Sequence, residues 1–312
     1  MNRYGFILYR PLQLVPVLVG ISIITFMLMQ AVPGDPVRTM LGEKATESVV
    51  AAMRARYGLD QPVYVQYFIY VKNLFIGDFG HSIVFKVPVI DLLGRRITAT
   101  LFLITYATLL AIMVTLPLSI MSAVNRGKLA DNIIRAVTTV GLGFPAFWVG
   151  IMLIITLSVW AGLFPVAGYG EGFWQHLHYL FLPALTIASA LSAILIRTMR
   201  ASLIETLNAD FITAARAKGL PKNWVFYRHV LRNSLIPAIN LLGVNIGWLI
   251  GGTVVVESVF SVPGLGQLMV QSIFARDYFV VQSLTLCFAC ATVVVSFVVD
   301  VITVTLDPRI RL

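Results

Sequence analysis

Few of the 312 residues carry charge: Asp, Glu, Lys and Arg make up 12%, against about 25% in soluble domains, while hydrophobic residues reach 58%. That shortage excludes a soluble enzyme. Cysteine is nearly absent, and Cys287 and Cys290 stand three apart in the last apolar run, sharing a helix face in poor disulfide geometry, so they read as buried thiols. No Gly-x-x-x-x-Gly-Lys-Ser/Thr run exists to cradle a nucleotide, and Gly264-Leu265-Gly266 reads as turn glycines. Only four histidines occur, and the one close pair, His176 and His178, lacks a third metal ligand and suits an interface better. Asp300 is the one acid well inside an apolar run, which leaves an intramembrane enzyme without paired catalytic groups.

Charge is missing in blocks. None falls between Arg10 and Asp35, Arg96 and Arg126, Arg135 and Glu171, Glu171 and Arg197, Arg232 and Glu257, or Asp277 and Asp300. Each gap exceeds the roughly 20 residues a helix needs to cross the bilayer. The pattern predicts an all-α polytopic membrane protein with six spans, at 10–31, 98–124, 136–162, 180–200, 234–256 and 279–304. A β-barrel is excluded because runs such as Ile151-Met152-Leu153-Ile154-Ile155 are apolar on every face rather than alternating. The first run, longer than the apolar core of a secretory signal and without its cleavage pattern, is read as a retained span.

With six spans both termini share a side. That side holds 14 of the 23 basic residues, among them Arg126, Lys128, Arg135, Arg197, Arg200, Arg216, Lys218, Lys222, Arg228 and Arg232. The opposite side has nine basic and nine acidic residues. Basic residues near span ends stay in the cytoplasm, so both termini are placed there. The net charge of +9 then reports topology rather than nucleic-acid binding.

Between the first two spans lies segment 32–97, long enough for a small folded subdomain outside the cytoplasm. Its periodicity predicts a helix over 46–57, with Thr46 as N-cap and Gly58 as stop, and another over 63–75 opened by Pro62. The second, rich in Tyr64, Tyr67, Phe68 and Tyr70, is either an aromatic packing face or a docking platform. The division expected is 1–97, the first span plus this subdomain, and 98–312, a five-helix core with a cytoplasmic loop at about 201–233.

That inner loop is the most informative segment. Asp210 is placed to cap a helix through Lys218, Gly219 suits a left-handed stop, and Pro221 opens a second short helix. Trp224, Val225, Phe226 and Tyr227 form an aromatic knob with a basic rim of Lys222, Arg228, His229 and Arg232. Three readings stay open: an amphipathic helix on lipid, packing against the chain's own spans, or insertion into a groove on a cytoplasmic partner. Polar residues inside spans are candidate pathway linings or interhelical hydrogen-bonders: Thr105, Thr108, Thr138, Thr139, Asn240 and Asn245. Gly141-Leu142-Gly143-Phe144-Pro145 is the best candidate for an irregular, pore-facing turn.

Six motifs in order give a resemblance over nearly the whole chain: Pro33-Gly34-Asp35-Pro36, Tyr57-Gly58-Leu59-Asp60-Gln61-Pro62, Gly77-Asp78-Phe79-Gly80-His81-Ser82, Thr213 through Gly219, His229 through Pro237, and Glu257 through Gly266. The chain resembles the permease subunits of bacterial ATP-binding-cassette (ABC) importers for dipeptides, oligopeptides and nickel. Within that resemblance the inner loop is similar to the "EAA" motif that docks into the ATPase subunit. Ala214, Ala215 and Gly219 match it, Thr213 stands where the general motif has Glu, and Pro237 comes later than usual. The resemblance implies a type I importer permease fold in the inner membrane, acting by alternating access, with Thr213, Ala214, Ala215, Lys218, Gly219, Trp224, Phe226 and Tyr227 as the coupling residues. It implies a second permease, two cytoplasmic ATPases carrying ATP and Mg, an extracytoplasmic solute-binding protein, and no cofactor on this chain. Peptides are the favoured solute, with nickel or another non-peptide solute as the alternative. A self-sufficient secondary transporter would carry an internal repeat, and none is found between the halves.

Overall fold

Runs of Leu, Ile, Val and Ala without polar interruption must satisfy their backbone groups internally in lipid, and helix is the form that does so within one segment. The structure, a computed structural model, describes residues 5–31, 37–38 and 45–306. The Pro33–Pro36 motif, Arg3 and the basic C-terminal residues Arg309 and Arg311 lie outside the described residues. Among those described there is no strand, only a bridge between His81 and Pro88. The helices in chain order are α1 (Gly5–Ala31), α2 (Glu47–Tyr57), α3 (Val63–Phe75), α4 (Val89–Val124), α5 (Leu129–Leu142), α6 (Ala146–Leu153, continued by a π-helical stretch Ile154–Trp160), α7 (Gly172–Tyr179), α8 (Phe181–Leu207), α9 (Asp210–Ala217), α10 (Lys222–Val259), α11 (Leu265–Phe274) and α12 (Tyr278–Leu306).

Four of these, α4, α8, α10 and α12, are long and apolar enough to cross a membrane, and α5 with α6 makes a fifth if the bent pair counts as one span. The apolar run expected over 136–162 is built as a bent pair: α5 and α6 turn by 106°. Pro145 explains the break, since it lacks an N–H and drives its predecessor out of helical geometry. The irregular turn lies at the stretch singled out for it, and Phe144 stacks on Trp148 across it, centroids 4.4 Å apart.

Packing divides the chain into two units, residues 1–100 with 263–293 and residues 101–262 with 294–312. In the first, α3 lays one face on α1. Phe26 meets the rings of Tyr67 and Tyr70 at 5.4 and 5.9 Å, and the hydroxyls of Ser22 and Tyr67 are 2.8 Å apart. Burial pushes the Tyr70 phenol up to about 12, with Gln282 opposing. The other face leaves Tyr64, Phe68 and Phe75 exposed, so the helix has both a packing face and a free one. Gly58 takes the left-handed conformation that ends α2, φ +67°. Thr46 occupies the N-cap position, yet its hydroxyl faces Ser48 Oγ and bonds no backbone N–H, correcting its expected role. A core of Val89, Leu92, Leu93, Leu265, Leu268, Val280 and Leu284 joins the first turns of α4 to α11 and the start of α12.

The second unit is built around α8, with thirteen buried residues from Leu182 to Leu203. Close approach there depends on small residues: a Cβ on Gly243 of α10 would lie 2.2 Å from Val299 of α12. The buried Asp131 carboxylate of α5 is paired with Arg200 of α8 at 2.7 Å.

Candidate functional site

The segment between α8 and the body of α10 is held in shape from both ends. Helix α8 runs on to Leu207, past its expected end, and Asn208 and Ala209 make a tight turn into α9. Ala209 is the N-cap and Asp210 the first helical residue, with no side-chain cap, so the capping role expected of Asp210 is not observed. Gly219, φ +76°, closes α9: its N–H bonds Arg216 O at 2.9 Å, while that of Leu220 reaches Ala215 O at 3.4 Å. Pro221 then opens α10, with Val225 N–H bonding back to its carbonyl at 3.0 Å. The second helix is not short. It continues through a π-helical stretch, Phe226–Leu231, straight into the fifth apolar run as one helix ending at Val259.

Side chains sort by face. Ile212, Ala215, Val225 and Val230 are buried against Ala123 of α4 and Met199 and Leu203 of α8, with Phe226, Leu220 and Leu235 packed on the margin. Thr213, Ala214, Lys218, Gly219, Trp224 and Tyr227 remain exposed. The expected aromatic knob is thus half of what was anticipated, because Val225 and Phe226 turn inward while Trp224 and Tyr227 face out. Trp224 meets the His229 ring edge-on at 5.0 Å. A cavity of about 370 Å³ lies beside them, lined by Leu207, Arg216, Lys222, Asn223, Val225, Phe226 and Val230. The Ser234 hydroxyl, buried, bonds Val230 O at 2.8 Å and lies 3.1 Å from Thr206 Oγ1, tying α10 to α8. The result is an apolar-backed arm with an exposed aromatic and basic front.

The pathway candidates scatter. Asn240 accepts a hydrogen bond from Thr303 of α12, while Asn245 and Thr138 bond carbonyls of their own helices, Leu241 O at 2.7 Å and Ile134 O at 2.8 Å. Thr105 and Thr139 are exposed, and the Thr108 hydroxyl is buried without a hydrogen-bond partner. On α7, His176 stacks on Tyr169 at 3.8 Å and His178 lies tilted against Phe164 at 5.3 Å, so the pair diverges onto separate aromatic contacts. Burial pushes the Tyr169 phenol up.

Two carboxylates carry more structure than charge counting assigned them. Asp277, counted only as an outer-side acid, is fully buried and accepts hydrogen bonds from the Ser82 hydroxyl and from the N–H groups of Ile83 and Val84, both at 3.2 Å. It thereby shapes the end of the Gly77–Ser82 motif. Asp131, in the first turn of α5, is the other. No spacing in the sequence signals either contact, since their partners lie 195 and 69 positions away.

Long apolar helices, with a bent and partly exposed arm packed against two of them, define a membrane protein of several spans. Residues 115–312 match the family described as the binding-protein-dependent transport system inner membrane component, and residues 3–104 match its N-terminal companion. The chain is 40% identical to the oligopeptide transport system permease protein AppB of Bacillus subtilis (strain 168), over 98% of this chain and 99% of that protein. It is 38% identical to the glutathione transport system permease protein GsiC of Escherichia coli (strain K12), with the same coverage. Among solved structures it resembles a chain of the MetNI methionine ABC transporter in inward-facing conformations, TM-score 0.58 and 18% identity, covering 69% of this chain and 96% of that one. An amino acid ABC transporter gives TM-score 0.55 at 16% identity, covering 68% and 93%. The chain belongs to the family of inner membrane components of binding-protein-dependent transport systems, and it is a permease subunit of an ABC importer, homologous to the oligopeptide and glutathione permeases named above. ATP hydrolysis in that family resides in separate subunits.

Proposed function

We propose that this chain forms half of the translocation pathway for peptides of a few residues, exchanging inward and outward access as two partner ATPases pull on the arm formed by α9, Gly219 and the start of α10. The observation that carries this is the sorting of residues 212–230, an apolar back sealed to α4 and α8 behind an exposed front of Thr213, Ala214, Lys218, Trp224 and Tyr227. A front of that kind, with aromatic anchors and a basic rim, suits a cleft on a soluble partner. The solute class is supported by the names of the relatives at 38–40% identity, one for oligopeptides and one for glutathione, itself a tripeptide.

In this reading the chain has six spans, counting α1 and the α5–α6 pair, with both termini cytoplasmic. Segment 32–97 is an extracytoplasmic subdomain, and 98–312 is the core. A second permease covers apolar side chains left exposed within the spans, such as Met113, Val244 and Trp248. A binding protein delivers solute from outside. ATP and Mg act on the partners, and this chain contributes no catalytic group.

The test is co-expression with the neighbouring transporter genes and affinity purification through this chain. Two ATPase chains are expected to travel with it, and Trp224→Ala with Tyr227→Ala to release them while membrane insertion persists. Retention of the ATPases by the double variant would refute the docking assignment.

A further inference from the structure

The buried pair Asp131–Arg200 is more elaborate than an anchor at a span end requires. Arg200 Nε and Nη2 donate to the two Asp131 oxygens at 2.7 Å each, the planar fork matching the carboxylate. Gly127 N–H adds a bond at 2.9 Å and the Ser122 hydroxyl another, and Arg200 Nε is also 3.0 Å from Ser122 Oγ. Asp131 is wholly inaccessible to solvent and Arg200 is 19% exposed. One carboxylate therefore gathers the end of α4 (Ser122), the turn after it (Gly127), the first turn of α5 and the cytoplasmic half of α8.

Position makes this consequential. The arm's apolar back rests on α4 and α8 through Ala123, Met199 and Leu203, each within one turn of Ser122 or Arg200. Helix α5 contributes no side chain to that core. Apolar contacts are non-directional and let helices slide, whereas a two-pronged ion pair holds one register. Eleven residues beyond Asp131, α5 ends at Leu142, before the break at Pro145 where the chain turns by 106°.

We propose that Asp131 and Arg200 are positioning residues for transport: they form the joint through which displacement of the α9–α10 arm is delivered to α5 and to the bend at 143–145. The inference rests on the coupling role proposed above.

The test uses the full complex of permeases and ATPases in proteoliposomes with its binding protein as purified, comparing wild type with Arg200→Lys, which keeps the charge but loses the fork, and Asp131→Asn. Per assembled complex, basal ATP hydrolysis is expected to stay unchanged, while stimulation by the binding protein falls at least about fivefold, the lower range of coupling between sites. Spin labels at the exposed positions Val137 and Ala217 give a second readout. Their separation is expected to be the same in nucleotide-free and vanadate-trapped wild type, because α5 and the arm move together, and to differ between those states in Arg200→Lys. Wild-type stimulation in both variants, or basal and stimulated hydrolysis falling together, would overturn the proposal. Failure of both variants to assemble would do so as well, reducing the pair to a folding element. If the wild-type chain carries no ATPase through purification, the coupling reading falls instead.

Discussion

Gly219 owes its place to backbone conformation alone. Its φ of +76° lies in the left-handed region, and a Cβ there would meet nothing within 4 Å. Gly219→Val is therefore expected to cost about 1–2 kcal/mol through conformation, and Gly219→Asn markedly less because Asn tolerates that region. Binding-protein-stimulated ATP hydrolysis should fall in the first variant and largely survive in the second; equal loss in both would place the effect elsewhere. Asp277 acts through its partners. Asp277→Ala leaves three donors around residues 82–84 without their acceptor, and even one lost bond to a charged group is worth about 1.5–3 kcal/mol. Proteolysis or amide exchange confined to 77–88 should rise, and unchanged protection there would contradict the clamp. Gly219 could be read in the sequence because a glycine after a helical run, followed by proline, has a local meaning. Asp277 and Asp131 could not, because a carboxylate's partner across the chain leaves no local trace.

At the scale of helices, α10 departs most from the sequence reading. Proline at 221 and 237 and a basic, aromatic stretch suggested a short helix handing over to a span. The helix instead runs unbroken from Lys222 to Val259, and the π-helical stretch at Phe226–Leu231 lets Val225 and Val230, five positions apart, share the buried face. A continuous helix is the stiffer lever. Its seat on α12 depends on Gly243, and Gly243→Ala is expected to destabilise the complex by about 1–3 kcal/mol as overpacking. Val299→Ala should restore much of that loss in the double variant, because it removes the two methyls the new Cβ meets at 2.2 and 2.4 Å. Thermal melting of the four-variant cycle measures this, and additive losses would show that the two sites are independent. Helices α7 and α11 were missed because each is about two or three turns long and sits in a connection between apolar helices whose residues also suit a loop.

For the molecule as a whole, orientation is the consequence of charge distribution most open to direct test. With Cys287 and Cys290 replaced by Ser, Lys86→Cys should react with a membrane-impermeant maleimide in cells whose outer barrier is opened. Lys128→Cys should react only after the inner membrane is permeabilised. The opposite pattern would invert the topology and with it the position of the arm. Composition and spacing by themselves determined the membrane class, the apolar runs and the bend at Gly219, because each follows from properties of a local stretch: burial of apolar surface, cost of charge in lipid, and backbone geometry. Tertiary structure alone decided that the third run breaks by 106°, that Phe226 faces in while Tyr227 faces out, and that Asp131 meets Arg200, because these depend on which surfaces remain once helices distant in sequence have packed together.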